Sequence, residues 1–184
     1  SSRVSVRALG LRSPARLEPR VRSRSPVQVD RRGATVPIGL DLLRTAVGLD
    51  PSYSLAWAGI ADALTVLAYS GAARGSESKS QALAAARRSI ELNPKSAAGH
   101  TSLACATLLY ENNRPMAKQE FERALELSPS YTMSRCWYAH FYLTWACGDF
   151  AHGIADARRA LDSDPRSAYV TMTLGVSLFT AGQL

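Results

Sequence analysis

Residues 117–129 read AKQEFERALELSP, and the fold follows from this stretch. Ala117, Phe121 and Ala124 recur at helical spacing and define one apolar face. Glu120, Glu122 and Glu126 alternate with Lys118 and Arg123 and read as a solvated face with ion-pair support. Pro129 cannot continue a helix, because it lacks the N–H and its ring collides with the preceding turn.

The same punctuation recurs on both sides. Leu49-Asp50-Pro51, Leu92-Asn93-Pro94, Leu127-Ser128-Pro129 and Ser163-Asp164-Pro165 place their prolines 43, 35 and 36 residues apart. A serine follows within two residues each time (Ser52, Ser96, Ser130, Ser167) and is expected to cap the next helix. Ala82, Ala117 and Gly153 lie twelve residues before a proline, and Ala46, Ser89, Ala124 and Ala160 lie five before. Ile60-Ala61, Leu103-Ala104, Tyr138-Ala139 and Leu174-Gly175 lie nine and ten after. Small residues at fixed offsets let neighbouring helices approach closely.

This pattern resembles the tetratricopeptide repeat (TPR), a 34-residue helix pair with an aromatic, a Leu-Gly/Ala pair, an aromatic, then Ala, Phe/Tyr, Ala and Pro. The copy ending at Pro129 carries Ala117, Phe121 and Ala124 on pattern, and the next carries Tyr138, Ala139 and Tyr142. Gly148-Asp149-Phe150 resembles the turn between the two helices, whereas Ala86, Ala157 and Thr107 depart from the pattern. The stretches LDPSYSLAWAGIADAL (49–64), RSIELNPKSAAGHTSLA (88–104) and FERALELSPSYTMSRCWYAHF (121–141) further resemble the TPR regions of bacterial multidomain signalling proteins. There the repeats follow a winged-helix regulator, a nucleotide cyclase or a protein kinase. No such catalytic or DNA-binding part stands in this sequence.

The resemblance implies an all-α fold, a right-handed α-solenoid of antiparallel helix pairs, over residues 37–184. The expected elements are a leading helix at 38–49, pairs at 53–69/78–92, 96–110/115–127 and 131–146/150–162, and a trailing helix at 167–181. The stretch Gly71–Ser78 supplies the excess of the 43-residue interval as a loop. On this reading the array is incomplete at both ends. The last helix is expected to expose Val170, Leu174 and Leu178, a flank that offers self-association.

Charge divides the chain in two. Nine Arg in residues 1–36, against Glu18 and Asp30, give a net of +7, the formal charge of the whole chain. Residues 37–184 balance 13 basic against 13 acidic residues, so a nucleic-acid reading of the repeat region fails. The segment 1–36 is rich in Arg, Ser and Pro, has no hydrophobic period, and is expected to be a disordered basic tail. It also resembles a transit peptide or a polybasic arm for RNA or anionic lipid. It holds no apolar run long enough for a signal peptide. The initial Ser1 indicates a processed chain or a fragment. The uncharged run Ser167–Leu184 carries six Ser, Thr and Gln residues and reads as a packed helix rather than a membrane span. Three cysteines (Cys105, Cys136, Cys147), with no CxxC pair, point to a reducing compartment, hence the cytoplasm.

No GxxxxGK[ST], GxGxxG or HExxH motif occurs, and no nucleophile, base and orienting group can be assembled from three histidines. Cys136 and His140 share a helical face, but two ligands are half a zinc site. His100 and His152 read as structural or solvated. No enzymatic activity, metal or cofactor is expected. Arg87-Arg88 and Arg158-Arg159 occupy equivalent positions and read as exposed helix charge or a convex basic stripe. Trp137, Tyr138, Phe141, Tyr142 and Trp145 on one helix read as core, or as a hot spot for a peptide.

The resemblance implies a protein–protein interaction scaffold whose first helices line a concave groove. By register the groove positions are Asp62, Thr65, Thr101, Cys105, Leu108, Met133, Cys136, His140, Met172 and Val176. This groove is nearly uncharged and lacks the Lys, Asn and Arg with which chaperone-binding TPR proteins clamp a terminal carboxylate. It suits an amphipathic helix or extended segment of a partner, or another part of the same parent protein. The alternative is a regulatory region of a larger cyclase, kinase or transcriptional regulator. Nucleic acid is expected only through residues 1–36, and no membrane partner is expected.

Overall fold

A computed structural model of the chain describes residues 35–70 and 76–183. It contains α1 (Thr35–Leu49), α2 (Ser54–Tyr69), α3 (Ser76–Leu92), α4 (Ala97–Glu111), α5 (Arg114–Leu127) and α6 (Thr132–Trp137). The last of these continues into a π-helical segment, Tyr138–Ala146, followed by α7 (Phe150–Ser163) and α8 (Ala168–Thr180). No strand occurs among the described residues. The expected basic tail lies outside them, except that Thr35 and Val36 already belong to α1. The expected loop Gly71–Ser78 is shorter than its sequence suggested. Its last three residues open α3, and 71–75 lie outside the described residues.

Each helix starts where the sequence frees backbone donors and ends where it stops them. The N-cap falls two residues after each proline, at Tyr53, Ser96, Tyr131 and Ser167. Ser96 and Ser167 accept from Gly99 and Val170 N–H, as expected of a cap. Ser52 and Ser130 do not cap, because they stand one residue too early. The Ser52 hydroxyl instead donates to Asp50 Oδ1 at 2.6 Å. In the turns between paired helices, Asn112 takes the left-handed conformation with φ 50°, and Gly148 does so with φ 67°. The next side chains, Asn113 and Asp149, cap α5 and α7.

The helices fall into two sets. α2, α4, α6 with its π segment, and α8 each pack on the next of their set, while α1, α3, α5 and α7 pack between them. The first set therefore forms the inner, concave layer, and the second the outer, convex one. Two clusters fill the interior: one around Ile60, Leu64, Leu83 and Leu103, the other around Leu108, Phe121, Trp137 and Phe141. Small residues stand at the crossings. Ala61, Ala82, Ala104, Ala117, Ala124, Ala139 and Ala160 are fully buried. At Gly99 an added Cβ would lie 2.7 Å from Ser89 Oγ, so α3 and α4 approach there at a distance only glycine permits. The last helix departs from expectation. Val170 is buried in the second cluster, Leu174 and Leu178 are half-buried, and Phe179 is the large apolar residue left 73% exposed.

Two ion pairs tie inner to outer helices at equivalent places. His100 Nδ1 lies 2.5 Å from Glu120 Oε2, and Arg135 Nη1 donates to Asp156 Oδ1 at 3.1 Å. Glu120 is thus not merely part of the solvated face that its sequence setting suggested. Its hydrogen bond raises the His100 pKa, against the opposing effect of burial.

The π-helical segment has a counting origin. Pro129 to Gly153 spans one residue more than Pro94 to Ala117, and a π turn accommodates an extra residue without breaking the helix. The wider turn brings Thr144 and the Ala139 carbonyl against α7. A Cβ added to Gly153 would collide with Thr144 Oγ1 and lie 3.2 Å from Ala139 O. Gly153→Ala therefore lowers unfolding free energy by roughly 1–2 kcal/mol in urea titrations, although alanine serves at the same position in two other copies. In a Thr144→Ala background at least half of that cost disappears. An equal cost in both backgrounds contradicts the crossing described.

Candidate functional site

The concave face is built by repetition of one spacing. Side chains four, seven, eleven and fourteen residues after each proline share a helical face, since these intervals are successive turns. The ten positions read from sequence lie on these rows, and the structure divides them equally. Thr65, Thr101, Cys105, Leu108 and Cys136 are buried, while Asp62, Met133, His140, Met172 and Val176 are partly exposed.

The buried members hold helix to helix. Thr101 Oγ1 donates to Ala97 O at 2.8 Å and lies 2.5 Å from Ser134 Oγ on α6. Cys105, Leu108 and Cys136 join the aromatic cluster of Trp137, Phe141 and Tyr142. Burial pushes both thiols above the ordinary cysteine range, which makes them poor nucleophiles. Cys147 is exposed.

The exposed members form the accessible surface. Met133 and Cys136 line a cavity of about 290 Å³ between α6 and α8, together with Tyr131, Tyr169 and Val170. His140 packs edge-on against Phe141 at 4.7 Å, and its Nδ1 is shielded from solvent without a hydrogen-bond partner. Burial holds this imidazole below the usual histidine range. Asp62 is the one charged side chain among the ten positions. It accepts a hydrogen bond from Ser102 Oγ at 2.6 Å. Burial nevertheless raises its carboxyl to about 7, and the Ser102 hydrogen bond opposes that rise only in part.

Sequence reasoning missed the tyrosines. Tyr169 stands four after Pro165, on the row that supplies Met133, so that spacing carried to the last copy finds it. Burial pushes its phenol up, and Cys136, Cys105 and Asp62 add to the effect. Tyr69 at the end of α2 meets Phe141 and Trp145 edge-on at 5.3 and 5.7 Å. It thereby spans α4 and closes one end of the face. No sequence signal marks this contact, which depends on curvature. Trp145 remains 58% exposed at the rim, beside a second cavity of about 310 Å³ lined by Leu108, Leu109, Asn112 and Arg114.

Among the described residues no group of three or more His, Cys, Asp and Glu side chains is placed to hold a metal ion. No described helix is long and apolar enough to cross a membrane.

The overall arrangement is matched by solved structures. A thermophilic TPR protein of Thermus thermophilus, TTC0263, superposes with a TM-score of 0.62 over 78% of this chain and 73% of its own, at 22% identity. The chain has the tetratricopeptide-repeat fold. MamA matches over 80% of this chain and 74% of its own, with 12% identity and a TM-score of 0.50. YrrB, described as a TPR protein with an unusual peptide-binding site, matches over 80% and 70%, with 17% identity and a TM-score of 0.47. No family model matches the sequence, and no curated protein matches it.

Two outcomes test this geometry. Asp62 with a raised pKa stabilises the fold as the neutral acid, and that contribution is lost as pH rises from its unfolded value near 3.8 through about 7. Asp62→Asn therefore matches the parent at pH 4 and exceeds it by roughly 1–3 kcal/mol at pH 8 in denaturant titrations. A difference independent of pH contradicts the assignment. In a native thiol titration one cysteine, Cys147, reacts fast, and Cys105 and Cys136 react only on unfolding.

Proposed function

We propose that this TPR array is a protein-interaction scaffold that binds an amphipathic helix or extended segment of a partner along its concave face. The observation that carries this reading is the cavity between α6 and α8. Met133 and Cys136, both groove positions from sequence, meet there with Tyr131, Tyr169 and Val170. An adaptable thioether and two phenols make a surface that takes apolar side chains and offers hydroxyls to a backbone. Met172, Val176 and His140 extend the partly exposed surface along α8 and the π segment. Asp62, held up to about 7, adds little fixed charge below that pH. The face therefore favours an uncharged or weakly charged segment over a carboxylate terminus.

The test uses a photo-crosslinking amino acid, placed in the full chain at Met133, at Met172, and at exposed Arg158 on the outer layer. One partner trapped from positions 133 and 172 and absent from 158 is the expected result. Equal trapping from all three positions, or trapping from 158 alone, contradicts concave-face binding.

A further inference from the structure

The largest cavity described lies on the opposite side of the molecule. α1 and α3 both pack on α2, and between them runs a cleft of about 890 Å³. Its floor is apolar, formed by Val47, Trp57, Ile60 and Ala85. Its rim is basic, formed by Arg44 from α1 and Arg87 and Arg88 from α3, with Glu91 as the single carboxylate lining it.

The repeat register explains why a cleft exists here. Trp57, His100 and Arg135 stand six residues after their prolines, and Ala85, Glu120 and Asp156 stand nine before theirs. In the second and third copies these positions form the His100–Glu120 and Arg135–Asp156 pairs, which link the two helices of a repeat. In the first copy alanine faces the large residue, and no such pair closes the surface. Trp57 is fixed instead by donating its Nε1–H to Pro51 O at 2.9 Å, which holds the indole along the floor.

The arginines are available. Arg87 has no ion-pair partner among the described residues. Arg44 and Arg88 pair with Asp41 at 3.7 Å and Glu91 at 3.1 Å, both exposed and within one helical turn. Such pairs are weak in water and yield to a better-placed carboxylate. Planar guanidinium groups above an apolar, aromatic floor select a ligand with both characters.

From this arrangement we infer a second binding surface, a convex cleft that docks an acidic protein segment. In that segment carboxylates flank one or two bulky apolar side chains. The apolar groups enter between Val47, Trp57 and Ile60, and the carboxylates engage Arg44, Arg87 and Arg88. Charge complementarity fixes the sign of the partner, and the floor, which offers no polar group to a base edge, favours a peptide over nucleic acid. The inference does not rest on the concave face.

Fluorescence anisotropy with the full chain tests it. The probe is a labelled eight-residue peptide of Asp and Glu around Leu, Leu and Phe. Controls are the same peptide with Asn and Gln for the acids, the same acids with Ser for the apolar residues, and a single-stranded RNA of equal charge. The acidic apolar peptide is expected to bind at least tenfold more tightly than any control. Ala84→Trp, which fills the cleft from an exposed position, and the double change Arg44→Glu/Arg87→Glu each weaken it at least tenfold. Arg158→Glu, the equivalent of Arg87 two copies on, changes affinity less than twofold. Circular dichroism confirms that each variant retains its helix content. Equal binding of the Ser control places the attraction in general basic charge and overturns the inference. Indifference to Ala84→Trp, or tighter binding of the RNA, overturns it as well.

Discussion

Everything in this molecule depends on how closely one helix can approach the next. Fully buried alanines stand at the crossings of inner and outer helices, and at Gly99 and Gly153 even a methyl group is excluded. Close approach brings many atoms into dispersion contact and excludes water from the large side chains around the crossing. It also fixes curvature. Inner helices pack on one another through small groups and hydroxyls, such as the Ser102–Asp62 and Thr101–Ser134 contacts. The outer helices are separated by the inner ones. A concave and a convex surface of different chemistry follow from that inequality.

The proline ruler and its small-residue offsets made the helix order legible, because both act locally, by ending helices and by setting the depth of a crossing. Residues that act through curvature were not legible. Half of the concave positions turned inward as Cys105, Leu108 and Cys136 joined the aromatic cluster, and Tyr69 reached across α4 to Phe141. A linear register places these side chains on a face but does not say how tightly that face closes. The π-helical segment was similarly hidden. The extra residue was countable, yet nothing local says whether a loop or a widened turn absorbs it. The serines at 52 and 130 show the same limit at the scale of one residue, since a shift of one position turns a cap into a turn contact.

The two surfaces differ as binding materials. The concave face is lined by Met133, Tyr131, Tyr169 and His140, and its one carboxyl, Asp62, is destabilised as an anion by its surroundings. The convex cleft carries a fixed positive rim on an apolar floor. One array can therefore hold two segments of unlike chemistry at once. This is the physical content of the word scaffold here. It arises from substitutions at a single register position, Trp57 against Ala85 where the later copies hold ion pairs.

The central claim is that the inner helices present the principal binding face. Hydrogen–deuterium exchange of the full chain, alone and with its crosslinked partner, addresses it most directly. The account predicts that the partner slows exchange in α4, in α6 with its π segment, and in α8, and leaves α5 and α7 unchanged. Protection confined to α5 and α7 would contradict it.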